Sequence, residues 1–172
     1  GGEWVGDWIE HYDRALFFLE HQPLGTQFLH QYALPARPPL ANLVTGAFMA
    51  LTGTGFAQFQ VLTTLLATLA FFPAALLVRQ FRGAQGGEPV AMLALLLMLS
   101  PLFVENATFA WTKLPAAFFI LAGLHFTVRA GRAPDDPRTR CAALCLAAAL
   151  LTHYSAAPYA IVLAVAWLFQ RR

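Results

Sequence analysis

The side chains able to do acid–base chemistry or hold an anion gather at a few places in this sequence. Asp7, Glu10, His11 and Asp13 fall within two turns of a helix expected over residues 4–20. Asp7, His11 and Arg14 then share one face at i, i+4, i+7 spacing, with Glu10 beside them. A carboxylate in such a group is suited to act as a general base toward a hydroxyl, positioned by its neighbours. Asp7 is the sharper candidate, because Gly6 leaves the backbone open and Trp8 supplies an apolar shield, and Glu10 is the second. The same pattern also describes the solvated polar face of a helix lying on a membrane. Arg37 precedes two prolines that keep it extended and stiff. Its planar fork matches a pair of phosphate oxygens, and a snorkelling interfacial arginine would look the same in sequence.

Two more positions stand out farther along. Lys113 is the sole lysine and opens an apolar run, with Glu105 and Trp111 in the loop before it. An ionisable residue at the mouth of a membrane segment is a functional candidate, and a Lys113–Glu105 ion pair is its structural alternative. His153 and Tyr154 interrupt the last apolar stretch, which makes His153 a further functional candidate, with a structural histidine as the alternative. His125, four residues before Arg129, reads as structural. Cys141 and Cys145 read as two small apolar residues on one helix face rather than a disulfide or metal pair.

The elements that must position these groups are greasy. Of 172 residues, 58% are hydrophobic and 12% charged, and mean hydropathy is +0.57. Soluble domains carry roughly 25% charged residues, so lipid is the expected solvent for most of the chain. Several apolar runs approach the ~20 residues that cross a bilayer as a helix. With a net charge of +2 and scattered basic residues, nothing argues for a nucleic-acid partner, and none is expected. The fold class expected is all-α, a polytopic membrane bundle. Residues 1–56 form a surface segment with two amphipathic helices, 4–20 and 39–52. Residues 57–172 form the bundle, with spans at about 57–78, 89–104, 112–129, 140–154 and 157–170. Pro73 is expected to kink the first span. A chain that opens Gly-Gly and stops just after an apolar run reads as a fragment of a longer protein.

Arginines sit at Arg79/Arg82, from Arg129 to Arg140, and at Arg171/Arg172, while loops 53–59, 105–111 and 153–157 hold no Arg or Lys. Five spans put all three clusters on the cytoplasmic side. Residues 1–56, loop 105–111 and His153 then face outward, which for a bacterial inner membrane means the periplasm.

Taken together these residues resemble the C-type superfamily of integral-membrane glycosyltransferases. The nearest branch is the protein O-mannosyltransferase and lipid A aminoarabinose transferase group. Asp7 stands at the family's acidic position after its first span and His11 at the later aromatic or basic one. Trp8 replaces the usual second acid, with Glu10 as its substitute. Arg37-Pro38-Pro39-Leu40 through Gly53 is similar to the family's basic-Pro-Pro-Leu motif and its following surface helix. Leu99 to Phe103 followed by Phe109-Ala110-Trp111-Thr112 resembles its paired third and fourth spans, with Lys113 where many relatives have Asp. Leu151-Thr152-His153 resembles a Leu-Thr-Lys-Gly turn.

The resemblance implies sugar transfer, with inversion, from a polyprenyl-phosphate-linked donor to a lipid, glycan or protein acceptor at the outer face. Asp7, or Glu10 in its place, would be the base or acceptor-orienting carboxylate, and His11, Arg37, Lys113 and His153 would bind substrate. No cofactor is expected. Some relatives hold a divalent metal at the acidic motif, which a single Asp with a nearby Glu does not favour here. A transport or other non-catalytic component of lipid-linked glycan assembly is the alternative.

Overall fold

The computed structural model describes residues 5–82, 87–130 and 136–170, without the side chains of Val5, Asp7, Trp8 and Gln170. Arg132, Arg171 and Arg172, which entered the charge-asymmetry argument, lie outside the described residues. The described residues are all-α and contain no strand. The helices are α1 (Val5–Leu19), α2 (Leu40–Thr52), α3 (Phe56–Thr68), α4 (Phe71–Arg82), α5 (Gly87–Leu99), α6 (Pro101–Thr108), α7 (Lys113–Arg129), α8 (Pro137–Thr152) and α9 (Ala157–Gln170). Short 3-10 turns at Leu34–Ala36 and Tyr154–Ala156 complete them.

Both N-terminal helices form where the sequence places them. α2 starts after Pro39 and stops at Gly53, whose φ of +110° favours glycine and whose N–H closes the helix on Met49 O. α1 and α2 pack so closely that a Cβ on Gly46 would lie 2.6 Å from Ala15 O. The two helices do not sit apart from the bundle. Ala15, Met49, Phe59 and Ala110 form one buried cluster, with Tyr12, Leu16 and Leu62 against it. Tyr12 adds a hydrogen bond to Thr54 O and edge-on contacts to Phe56 and Phe59.

α3 and α4 together form a 27-residue helix, Phe56–Arg82, long and apolar enough to cross a membrane. Its one interruption is at Leu69–Ala70, and Pro73 explains it. Proline has no N–H for the carbonyl of residue 69 and crowds that carbonyl. Phe72 N–H bonds Leu69 O instead, at 3.0 Å.

The expected span 89–104 is not one straight helix: α5 and α6 meet at a 73° bend. Ser100 caps α6 by accepting a hydrogen bond from Phe103 N, and Pro101 takes the first helical position. Residues 105–108, expected as loop, belong to α6. Counting the bent pair as one span gives two helical segments that meet the length and apolarity needed to cross. α7 and α8 form an antiparallel pair that packs closely at Gly123, where a Cβ would meet Leu146 Cδ2 at 3.0 Å. At the arginine-rich end Asp136 caps α8, and Arg138 reaches back to Arg129 O. Large apolar side chains, among them Val61, Leu65, Phe72, Met92, Met98, Ile161 and Leu168, are exposed on the outer faces of α3–α5 and α9.

Candidate functional site

The polar stripe of α1 faces inward. Glu10, His11 and Arg14 are buried, with Glu10 0% and Arg14 1% exposed, whereas Ile9 is 38% exposed. The expectation of a solvated polar face is therefore corrected. A buried charge needs partners, and the segment 28–42 supplies them. Arg14 Nε donates to Glu10 Oε1 at 2.9 Å, one turn away. Its terminal nitrogens donate to Leu34 O at 2.8 Å and Ala33 O at 3.1 Å, and its guanidinium lies 4.2 Å over the Phe28 ring.

The second guanidinium on Glu10 is that of Arg37. Nη2 meets Glu10 Oε2 at 3.1 Å and Nε meets Oε1 at 3.4 Å, leaving Arg37 34% exposed. Burial pushes the Glu10 carboxyl up, but the hydrogen bonds and charges of Arg37 and Arg14 outweigh this and hold it below the ordinary carboxylate range. Both oxygens are thus committed. Asp13, half-buried, is pushed the other way by burial alone.

His11 Nδ1 lies 3.0 Å from Asn42 Oδ1, joining α1 to α2 beside a polar cavity of about 10 Å³ lined also by Thr45, Thr63 and Thr112. Asp7 is on α1 one turn before His11, and its side chain lies outside the described residues.

Lys113 opens α7 and is exposed. Its Nζ stands 4.0 Å over the Trp111 ring, and Trp111 packs on Phe109. The Lys113–Glu105 ion pair does not form among the described residues, and Glu105 is carried on α6 rather than on a loop. His153 ends α8, and its Nδ1 accepts the Ser155 N–H at 3.0 Å. A backbone N–H can only donate, so the neutral ring carries its proton on Nε2. Burial, then the charges of Lys113 and Arg37, push the His153 imidazole below its ordinary value.

These groups come from three distant parts of the chain to one place. An apolar cleft of about 80 Å³ is lined by Leu40, Val44, Leu66, Pro115, Phe118 and Thr152, among others. Arg37 lies three residues before Leu40, Lys113 two before Pro115, and His153 directly after Thr152. Tyr154 adds a tie that sequence reasoning missed: its hydroxyl donates to Pro35 O at 2.7 Å across 119 positions. Arg14 as the hub of the 33–37 segment was missed as well. Asn42, Thr45 and Gly46, polar or small residues in an otherwise apolar helix, were the available signal for the buried face of α2.

Among the described residues no group of three or more His, Cys, Asp or Glu side chains converges as a metal site would require. Cys141 and Cys145 are free thiols on α8. No protein-family model, curated protein or solved structure matches this chain.

Proposed function

We propose that this chain belongs to a polytopic membrane glycosyltransferase that uses a polyprenyl-phosphate-linked sugar at the outer face of a bacterial inner membrane. The observation that supports the reading is an apolar cleft lined by Leu40, Pro115 and Thr152, residues that lie within three positions of Arg37, Lys113 and His153 in the chain. An isoprenoid phosphate has the complementary form, an anionic head on an apolar tail. The prenyl chain takes the cleft between α2, α3 and α7, and the head takes the cations at its mouth.

In the transfer step the acceptor hydroxyl oxygen bonds to the anomeric carbon as the bond from that carbon to the phosphate oxygen breaks. The acceptor's proton goes to Asp7, and the phosphate leaves with the bonding pair. Attack opposite the leaving group inverts the anomeric carbon. The charge that develops on the phosphate is met by Arg37 and Lys113, cations already in place before reaction. Glu10 serves as a positioning residue, since its two ion pairs hold the Arg37 head where the cleft opens. His11 braces α1 against α2 through Asn42.

The test is transfer of labelled sugar from polyprenyl-phosphate donors by the full-length protein in membranes. A general base contributes about 10²–10⁴-fold, so Asp7→Asn should lower transfer by at least about a hundredfold at equal protein level. Arg37→Ala should lower it comparably, by removal of a charge stabiliser. Full activity in Asp7→Asn would overturn the assignment of the base. Absence of transfer by the wild type from every such donor would overturn the enzymatic reading in favour of a non-catalytic carrier-lipid component.

A further inference from the structure

Another cavity lies toward the opposite end of α7 and α8 from the apolar cleft. It holds about 220 Å³ between α7, α8 and α9, and its walls include Thr127, Thr139, Ala142, Leu146, Ala164 and Trp167. The run of α8 from Thr139 here to Thr152 at the first cleft is roughly 20 Å of helix. Small side chains on two of its walls, Ala142 on α8 and Ala164 on α9, leave space that a close-packed interface would fill.

Two observations make this cavity more than a packing gap. The first is the Thr139 hydroxyl, which is buried and has no hydrogen-bond partner among the described residues. Thr127, on the α7 wall, shows the usual arrangement: its hydroxyl donates to Gly123 O, one turn back, at 2.8 Å. Thr139 has no such turn behind it, because α8 begins at Pro137. A buried polar group left in this way calls for a partner. The second observation is charge. Thr139 stands between Arg138 and Arg140 in the chain, and Thr127 stands two residues before Arg129, all three arginines being exposed. Arg138 reaches from α8 to Arg129 O at the end of α7, so its guanidinium is held at the helix ends that frame the cavity. The described acid beside them is Asp136, which caps α8 and lies 4.0 Å from Arg138.

An apolar cavity beside a basic helix end fits an amphiphile with an anionic head. We infer that it seats one acyl chain of an anionic phospholipid. The lipid's phosphate lies toward Arg138 and Arg140, and its ester oxygens lie toward Thr139. Basic pockets between helices on the cytoplasmic side of a membrane take such headgroups. The inference rests on the membrane placement of α7–α9, with the arginine-bearing end in the cytoplasmic leaflet, and not on the transfer reaction. A prenyl phosphate at the first cleft and a phospholipid here would occupy opposite leaflets. The bound chain fills the gap between α9 and the α7–α8 pair, so the lipid serves as packing for the last helix.

The experiment is fluorescence quenching of the full-length protein in nanodiscs by brominated acyl chains. Trp167 lines the cavity, so it is kept as the reporter and every other tryptophan is replaced by Phe. The nanodiscs carry brominated phosphatidylglycerol or brominated phosphatidylcholine, at matched low fractions in unbrominated phosphatidylcholine. Phosphatidylglycerol should quench at fractions at least about tenfold lower, since an arginine at a membrane surface is worth about fivefold. Arg140→Gln should cost that fivefold. Ala164→Phe, which fills the cavity and leaves the arginines in place, should abolish the preference. A separate reporter, Ile161→Trp on the exposed face of α9 with Trp167 also replaced, reads whether that helix is in lipid at all. With that reporter quenched, three results would each overturn the inference and leave the membrane placement standing. They are equal quenching of Trp167 by the two lipids, a preference unmoved by Arg140→Gln or Ala164→Phe, and a Trp167 shielded from both lipids by a further part of the protein. Quenching at neither reporter would overturn the membrane placement itself.

Discussion

Replacing Glu10 with glutamine keeps the size of the side chain and removes only its charge, so it isolates what the buried carboxylate does. In the wild type Glu10 is fully buried and shared by two guanidinium groups, at 2.9 Å from Arg14 and 3.1 Å from Arg37. Removing one partner of a buried ion pair costs about 3–5 kcal/mol, because a charge is left without compensation. Arg37 is about a third exposed and its share is screened by solvent. Arg14 is 1% exposed and still donates to Ala33 O and Leu34 O, which softens its loss. The expected destabilisation is therefore about 3 kcal/mol, near the bottom of that range. The assay is unfolding in mixed micelles followed by tryptophan fluorescence.

A second signature is the acid limb. Glu10 has its folded-state pKa depressed, so its contribution is present above the ordinary value of about 4.3 and is lost as pH falls through the folded value. Glu10→Gln should flatten that limb. Adding Arg14→Met should recover part of the loss, since an apolar side chain is tolerated where an unpaired charge is not. A Glu10→Gln protein within about 0.5 kcal/mol of wild type, with an unchanged acid limb, would refute the hub.

Three further outcomes follow from the packing. Gly46→Val should force α1 off α2, because its Cβ would sit 2.6 Å from a backbone oxygen; a loss of about 1–3 kcal/mol is expected by the same unfolding assay. Tyr154→Phe should cost about 1 kcal/mol in stability yet weaken farnesyl monophosphate binding, because the 33–37 segment loses its tie to the turn after α8. Pro73→Ala restores an N–H for Leu69 O and should extend helical protection through Leu69–Ala70, read by hydrogen exchange.

Much of the helical framework was legible because its punctuation is local. Proline and glycine bracket α2, arginines close α4 and α7, and the break before α9 falls at His153. Arg37 was singled out by the prolines after it, and Lys113 and His153 by their places at the ends of apolar runs; Leu40, Pro115 and Thr152 nearby in the chain line one cleft. The orientation of α1 was not legible. Helical periodicity shows that a polar stripe exists, but not which stripe meets a partner, and the partners of Glu10 and His11 lie 27 and 31 positions away. The bend between α5 and α6 was overlooked although Ser100-Pro101 is a helix-start signal, because the surrounding apolar run dominated the reading. Lys113 was offered Glu105 as a partner on sequence nearness alone, and the structure gives it the face of Trp111 instead.

The hydrogen bond from Tyr154 to Pro35 O spans 119 positions, and that separation has a meaning for the chain as it is made. At ordinary ribosomal speeds of about 5–20 residues per second, Pro35 emerges on the order of ten seconds before Tyr154 does. During that interval Arg37 has its Glu10 anchor but neither His153 nor the tie behind it. The proposed lipid-phosphate site is thus completed from its C-terminal side, late in synthesis. A nascent chain stalled before α8 would carry the acidic helix and the arginine with no closed mouth to hold a lipid.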